Sequence, residues 1–276
     1  MGAYLRPRGL EEALQALTRP FTVLAGGTDF YPTRVGPSIA EDILDIAGIA
    51  ALRGISETDE SWRLGATTTW SELVEASLPP LFDGLKQAAR EVGGRQIQNS
   101  GTIAGNVCNA SPAADGVPAL LALEAEVELA HRDGTRRLPL ASFITGVRKT
   151  ARLPGELVVA LHVPRPRAAA RSAFMKLGAR RYLVISIAMA SAVVEVADGK
   201  VAAARVAVGA CSPVAQRLPL LERALIGASF DATLGERAEP SHLAPLSPID
   251  DIRGSAAYRG DVALVVLRRL LAKVSA

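Results

Sequence analysis

The sequence contains very few of the residues that hold metals and metal clusters. Among 276 residues there are only two cysteines, Cys108 and Cys211, and three histidines, His131, His162 and His242. An iron–sulfur cluster usually needs four cysteine ligands, and the histidines lack the close spacing of a metal site. We therefore expect no cluster and no metal in this chain. Two cysteines so far apart also argue against a disulfide framework and favour a reducing compartment, which predicts a cytoplasmic protein.

Three short motifs of nucleotide-binding and hydrolytic enzymes are also missing. The sequence has no Gly-x-Gly-x-x-Gly, no Gly-x-x-x-x-Gly-Lys-[Ser/Thr] and no Gly-x-Ser-x-Gly. These absences argue in turn against an ordinary Rossmann site, a P-loop NTPase and a hydrolase with a nucleophile elbow. If the chain binds a nucleotide, a different set of small residues must hold it.

Neither charge nor hydropathy indicates a nucleic-acid or membrane protein. The net charge is only +3, and the Lys and Arg residues are scattered rather than gathered in a basic stripe. The longest apolar stretch, Leu183 to Val194, is too short to span a bilayer. Met1 to Arg8 lacks the apolar core of a signal peptide, so none is expected. A hydrophobic content of 49% with 21% charged residues is typical of a globular protein.

The pattern of apolar residues predicts an α+β protein with two domains. A two-part α/β domain covers residues 1–166, with its subdomains divided near residues 55–60, and an antiparallel sheet with helices covers residues 167–276. Pro164-Arg165-Pro166-Arg167 marks the predicted boundary between the domains. The expected strands are 21–24, 42–46, 62–65, 127–130, 137–140, 156–163, 172–177, 184–196 and 201–208, and the expected helices are 10–17, 71–76, 81–92, 119–123, 216–226 and 256–274.

Some local features of this pattern can be stated more sharply. Asp133-Gly134 and Asp198-Gly199 are expected to form the turns of two hairpins. The last helix is expected to expose a polar face with Arg259 and Arg268, opposite apolar residues that include Val266.

Two segments of small residues are the most distinctive feature of the sequence. Residues 99–118 combine glycines, alanines, amides and hydroxyls with one carboxylate, Asp115, and we expect a loop there. A second segment, Ala25-Gly26-Gly27-Thr28-Asp29, follows the apolar run Phe21 to Leu24. Glycine lets the backbone approach a ligand closely, and successive N–H groups can bind an anion. Two such segments could grip the diphosphate of a dinucleotide, although each could also be an ordinary tight turn.

Four motifs of this sequence resemble those of the FAD-binding subunits of molybdenum hydroxylases, the group of xanthine dehydrogenase and the medium subunit of aerobic carbon monoxide dehydrogenase. In chain order they are Ala25-Gly26-Gly27-Thr28-Asp29, Gly101-Thr102-Ile103-Ala104-Gly105-Asn106, Asn109-Ala110-Ser111-Pro112-Ala113-Ala114-Asp115 and Lys176-Leu177-Gly178-Ala179-Arg180-Arg181. Their order and spacing fit over nearly the whole chain. The resemblance implies an FAD-binding domain of the PCMH type followed by a C-terminal domain like that of the carbon monoxide dehydrogenase flavoprotein.

The resemblance implies that the first two motifs contact FAD mainly through their backbones, with N–H groups held against the diphosphate. Thr28 is expected to cap a helical turn near Asp29, whose carboxylate should point away from the phosphates. Ala104 stands where the family often has glycine, and it fits there if its φ is negative. The expected contact residues are Ala25, Gly26, Gly27, Thr28, Asp29, Gly101, Thr102, Ala104, Gly105 and Asn106.

Three side chains are expected at the flavin itself. Asp115 would accept hydrogen bonds from ribityl hydroxyls, or it would cap the following helix. Lys176 would lie near the pyrimidine edge of the flavin and tune its potential, or it would be a solvated strand residue. Tyr182 would stack on the isoalloxazine or pack in the core. The remaining candidates are Asn109 and Ser111, as cofactor donors or turn residues, and Leu157. Cys108 also lies nearby, but the resemblance implies non-covalent FAD.

The resemblance further implies a division of labour within a complex. A large subunit would hold the molybdenum–pterin site and a small subunit the [2Fe–2S] clusters, in a dimer of heterotrimers. Electrons would then pass through FAD to an external acceptor. Two functions of other classes stay open at this point: a self-contained flavin oxidase of the same superfamily, and a non-enzymatic nucleotide-binding module.

Overall fold

A parallel three-stranded sheet forms the first part of the chain. The computed structural model describes residues 2–34, 36 and 39–276. Met1, the first residue of the segment in which no signal peptide is expected, lies outside the described residues. The strands pair in the order β1-β3-β2, and the first helix packs with them around buried residues such as Leu44 and Ile49. The elements are β1 (Tyr4–Leu5), α1 (Leu10–Ala16), β2 (Thr22–Leu24) and β3 (Ile43–Asp45), with 3-10 helices at Pro32–Arg34 and Ala50–Leu52.

An antiparallel five-stranded sheet with short helices follows. Its strands lie in the order β4-β5-β10-β6-β7. The central strand, β10, is therefore the last of the five along the chain. The elements are β4 (Ile55–Glu57), β5 (Ser61–Gly65), α2 (Trp70–Glu75), a 3-10 helix (Pro80–Phe82), α3 (Asp83–Glu91), α4 (Arg95–Ser100), α5 (Ile103–Asn109), α6 (Gly116–Ala122), β6 (Glu126–His131), β7 (Gly134–Pro139), α7 (Leu140–Phe143), β8 (Ile144–Gly146), β9 (Lys149–Thr150) and β10 (Leu157–Pro164).

A second antiparallel sheet, in the order β11-β12-β13-β14, lies between two sets of helices. Phe174, Met189 and Val193 belong to the same core as α3 and α6, whereas Ala190 and Val194 pack with the last helix. Alternate residues along a strand point to opposite faces of the sheet, so each face packs in a different hydrophobic core. The elements are β11 (Ala169–Leu177), β12 (Ala188–Ala197), β13 (Lys200–Gly209), β14 (Gln216–Arg217), α8 (Pro219–Leu225) and α9 (Ala256–Ser275), with 3-10 helices at Ala232–Arg237 and Pro240–Leu243.

The predicted α+β fold class is confirmed, as is the turn at Asp198-Gly199, whereas the first hairpin turn lies one residue earlier than expected, at Arg132-Asp133. β6 and β7 pair with His131 opposite Gly134, and β12 and β13 pair with Ala197 opposite Lys200. Asp198 and Gly199 both have positive φ, at 52° and 70°. That combination is the type I′ turn, whose twist matches that of the flanking strands.

The expected loop over residues 99–118 is wrong in its middle. Ile103–Asn109 forms α5, because the Thr102 hydroxyl accepts a hydrogen bond from the N–H of Gly105 at 3.0 Å and caps the helix. Several other boundaries also shift, among them those of β12 and α8. The expected strand over 184–196 begins only at Ala188, and the expected helix over 216–226 begins at Pro219 because Gln216 and Arg217 pair with β13.

The expected polar face of α9 is wrong at Arg259. Its side chain is only 3% exposed. The guanidinium donates to the carbonyl oxygens of Ile187 at 2.6 Å and Ala210 at 2.9 Å, and to the Asp251 carboxylate at 2.7 Å. Helical spacing places Arg259 on the same face as Ala263 and Val266, and these three acceptors satisfy its charge inside the protein.

Candidate functional site

The two small-residue segments lie against each other. A Cβ added to Gly26 would come within 1.9 Å of the carbonyl oxygen of Ser100, at the end of α4. A Cβ added to Gly101 would lie 3.3 Å from the Thr28 hydroxyl oxygen. Gly26 therefore lacks a side chain because the facing backbone leaves no room for one. The two segments that could grip one diphosphate thus lie side by side, and the close neighbour of Gly26 is protein backbone.

The first segment presents a row of backbone donors. Within residues 2–34, 36 and 39–276, the N–H groups of Gly26 through Phe30 donate to no backbone carbonyl and to no side chain. Gly27 adopts a φ of 71°, in the region that favours glycine. The turn closes with a hydrogen bond from the N–H of Tyr31 to the carbonyl of Gly27 at 3.1 Å. Unpaired, successive N–H groups of this kind form a concavity suited to an anion.

One detail of this turn, the role of Thr28, differs from expectation. The Thr28 hydroxyl caps no N–H group among the described residues, because Tyr31 closes the turn through a backbone bond and a 3-10 helix follows at Pro32. Asp29 is exposed, so its carboxylate is solvated and need not face bound phosphates.

The second segment supplies the capped start of α5. The N–H of Trp70 donates to the Gly101 carbonyl at 3.1 Å, and the N–H of Ile103 donates to the Thr68 carbonyl at 3.0 Å. These bonds fix the segment to the start of α2. Ala104 is helical and buried, which meets the condition of negative φ. Asn106 has a buried side-chain oxygen, Oδ1, with no hydrogen-bond partner among the described residues.

Asp115 and Lys176 form a buried ion pair. Lys176 Nζ lies 2.8 Å from Asp115 Oδ2, and the two side chains are 5% and 11% exposed. The ammonium also donates to the carbonyls of Glu91 and Val184, each at 3.3 Å. Ser186 Oγ donates to Asp115 Oδ1 at 2.6 Å. The pair thus joins the end of α3, the start of α6 and the segment that leads into β12.

This arrangement corrects the simpler alternatives for both residues. Lys176 is not a solvated strand residue, because it is buried with all three ammonium donors in use. Asp115 precedes α6, but its side chain makes no capping hydrogen bond. Burial raises the pKa of Asp115, and the charge of Lys176, with the hydrogen bonds from Lys176 and Ser186, opposes that rise.

The remaining candidates are placed more loosely. The Asn109 side-chain oxygen accepts a hydrogen bond from Arg148. Ser111 Oγ accepts one from the N–H of Ala113 at 3.3 Å, as a turn residue does. Tyr182 is 54% exposed, so it is not a core residue. Leu157 begins β10, and its side chain is buried in the core of the first sheet, against which Ala25 also packs.

Sequence reasoning missed two participants. Ser186 holds Asp115, and its only signal was its place as a polar residue in an otherwise apolar run. The Ser100 carbonyl faces Gly26, and no sequence pattern identifies a backbone neighbour 74 positions away. Among the described residues, no group of three or more His, Cys, Asp or Glu side chains is placed to hold a metal ion. No helix in the described part of the chain is long and apolar enough to cross a membrane.

Comparison with known proteins decides the family. Residues 1–166 match the family model of the FAD binding domain in molybdopterin dehydrogenase, and residues 173–274 match that of the CO dehydrogenase flavoprotein C-terminal domain. The chain is an FAD-binding subunit of the molybdenum hydroxylase family. The predicted family, the FAD cofactor and the oxidoreductase class are thereby confirmed.

The similarity to individual relatives extends over nearly the whole of the FAD-binding subunit. It is 29% identical to the xanthine dehydrogenase FAD-binding subunit of Escherichia coli O157:H7, over 99% of this chain and 96% of that protein. It is 30% identical to the carbon monoxide dehydrogenase medium chain of Afipia carboxidovorans, with the same coverage. The solved structure of reconstituted CO dehydrogenase from Oligotropha carboxidovorans contains a chain that matches with a TM-score of 0.90 and 28% identity, covering 100% of this chain and 98% of that one.

The residues of this FAD-binding subunit fit the cofactor. The row of N–H groups from Gly26 to Phe30 is suited to a diphosphate. The orphaned Oδ1 of Asn106 can accept a hydrogen bond from a ligand hydroxyl. Both features lie on segments that touch each other, at Gly26 and Ser100. One dinucleotide could therefore contact both.

Proposed function

We propose that this FAD-binding subunit is the electron-transfer subunit of a multi-subunit molybdenum hydroxylase. It accepts electrons from [2Fe–2S] clusters on a small partner subunit and delivers them to an external acceptor, while a large partner subunit holds the molybdenum–pterin site. The observation that carries the proposal is the pairing of an anion-binding turn with a chain that has only two cysteines, both free. The chain can hold a dinucleotide, but it cannot ligate a cluster of its own.

We infer the following roles for the residues of the site. When bound, FAD supplies the redox chemistry, and the protein supplies binding, orientation and electrostatics. The N–H groups of Gly26 to Asp29 bind the diphosphate, and Asn106 accepts a hydrogen bond from a hydroxyl of the cofactor. Each carboxylate oxygen of Asp115 accepts one hydrogen bond within the protein, from Lys176 or Ser186, and so keeps a lone pair for a ribityl hydroxyl. The full proposed set is Ala25, Gly26, Gly27, Thr28, Asp29, Gly101, Thr102, Ala104, Gly105, Asn106, Asn109, Ser111, Asp115, Leu157, Lys176 and Tyr182.

Leu157 and Tyr182 are the weakest members of this set. Leu157 contributes through its backbone, because its side chain is buried in the core of the first sheet. Tyr182 is exposed and free to cover a ring.

We further propose that the assembly is a dimer of heterotrimers in the cytoplasm. The medium subunits of relatives such as carbon monoxide dehydrogenase support an oligomeric enzyme. The two free cysteines support a reducing compartment.

A paired experiment tests the proposed function. The purified chain is first analysed by mass spectrometry of its released cofactor, which should be FAD in stoichiometric amount, with no FMN and no covalent remainder. The flavoprotein is then photoreduced and its reoxidation by candidate acceptors is followed, and the organic substrate of the complex is offered anaerobically. Reoxidation without substrate-driven bleaching is expected. Bleaching by substrate in the absence of partners would instead support the self-contained oxidase.

A further inference from the structure

A basic cavity lies between the end of α3, the edge strand β11 and the end of α9. Its volume is about 500 Å³. Its walls carry Arg90, Arg180, Arg181 and Lys273, against a single carboxylate, Glu91. Lys176 also contributes to the wall, but its ammonium is paired with Asp115. The small-residue segments proposed to hold the FAD diphosphate do not line this cavity, which adjoins the proposed flavin site at Lys176.

The positive charges around the cavity are not neutralised by the protein. Arg180 donates to the carbonyls of Tyr182 and Leu183, at 3.0 and 2.6 Å, and these are uncharged acceptors. Within the described ranges, neither Arg90 nor Arg181 makes an ion pair, although Arg181 lies 5.1 Å from the ring centroid of Tyr182. Four cations therefore face one carboxylate.

Lys273 shows that an anion would be favourable here. Its ammonium lies 2.7 Å from the side-chain oxygen of Gln87 and 3.4 Å from the carbonyl of Phe174. Partial burial lowers the pKa of Lys273, and the charge of Glu91 only partly opposes this. A second anion beside Lys273 would compensate the lost hydration of its ammonium.

We propose that this cavity binds a small anion that carries a phosphate or diphosphate group. Guanidinium groups bind phosphate oxygens in pairs, and a lysine adds a compact point charge. An excess of three positive charges, four cations less one carboxylate, suits a ligand with more than one negative charge better than a monocarboxylate. Because the diphosphate segments do not line the cavity, the ligand binds next to FAD rather than in place of its diphosphate.

The test is a calorimetric titration of the FAD-loaded full chain with inorganic pyrophosphate. FAD saturation, checked by flavin absorbance, keeps the probe away from the diphosphate segments. We expect one equivalent to bind, with an affinity that falls as salt is raised. The double substitution Arg90→Gln/Arg181→Gln should weaken binding by about tenfold or more. Arg132→Gln, in an exposed hairpin turn that does not line the cavity, should bind as the wild type does.

Two outcomes would overturn the proposal. One is the absence of binding by the FAD-loaded wild type at millimolar pyrophosphate. The other is binding that the double substitution leaves unchanged, which would place the anion elsewhere. If the double variant fails to retain FAD, Lys273→Gln is titrated in its place with the same expectation. Failure of the proposed function would appear separately, as a purified chain without flavin.

Discussion

Replacing Asp115 by alanine separates a structural from a purely ligand-binding role for this residue. The substitution leaves the Lys176 ammonium, 5% exposed, without its counterion at 2.8 Å. Breaking a buried ion pair from one side costs about 3–5 kcal/mol of unfolding free energy. Loss of hydrogen bonds from a charged group to a ligand alone would cost about 1.5–3 kcal/mol, and only in the FAD-loaded state. We therefore expect Asp115→Ala to destabilise the protein even without FAD.

Urea unfolding of the FAD-free chain, followed by circular dichroism, measures this effect. The double variant Asp115→Ala/Lys176→Met should regain most of the lost stability, because no charge is then left buried. Asp59→Ala, at an exposed turn position, should stay within about 0.5 kcal/mol of the wild type. The reasoning is refuted if Asp115→Ala fails to bind FAD but its FAD-free form unfolds at the same urea concentration as the FAD-free wild type. The ion pair would then not stabilise the fold.

Three further outcomes follow from other contacts. Gly26→Ala should purify with little FAD, since its Cβ would come within 1.9 Å of a carbonyl oxygen, whereas Gly9→Ala has open space and should retain it; equal flavin content in the two variants would contradict this. Hydrogen bonds from Arg136 lower the pKa of Glu156, so their contribution to stability is complete above the ordinary carboxyl range and is lost as pH falls through that lowered pKa. Unfolding free energies at pH 7 and pH 3 should therefore differ less in Glu156→Gln than in the wild type. Arg259→Met should lower the free energy of unfolding by about 1–3 kcal/mol for each of the two carbonyls that lose their donor. An unchanged midpoint of urea unfolding would show that these two hydrogen bonds do not stabilise the fold.

Local pattern was sufficient to predict much of the fold. The apolar run over residues 156–163 became the central strand β10, and Asp198-Gly199 formed the expected turn. Such features depend on residues close together in the chain, which a sequence displays directly. The small-residue segments were also correctly singled out, although the reason for Gly26 is its approach to Ser100.

Long-range partners could not be predicted in the same way. Helix α5 contains glycine and asparagine, which disfavour helix, yet Thr102 caps it and its apolar side chains Ile103 and Val107 are fully buried. Arg259 was assigned to solvent because of its charge. Two of its acceptors, the carbonyls of Ile187 and Ala210, come from distant parts of the chain, and the sequence does not show them. In each case tertiary contacts outweighed the local preference.

The pairing of Lys176 with Asp115 changes what the lysine can do to a flavin. A lone cation acts over distance as a full charge, whereas an ion pair acts as a dipole whose field falls off more steeply. With its ammonium 2.8 Å from a carboxylate, Lys176 should therefore affect the flavin potential less than an isolated lysine would. Its three hydrogen bonds instead fix the segment after β11 against α3 and α6. The uncompensated positive charge of this region lies on the neighbouring arginines, Arg180 and Arg181, which the same segment carries. We therefore expect Lys176 to act on the proposed site chiefly by holding other residues in place.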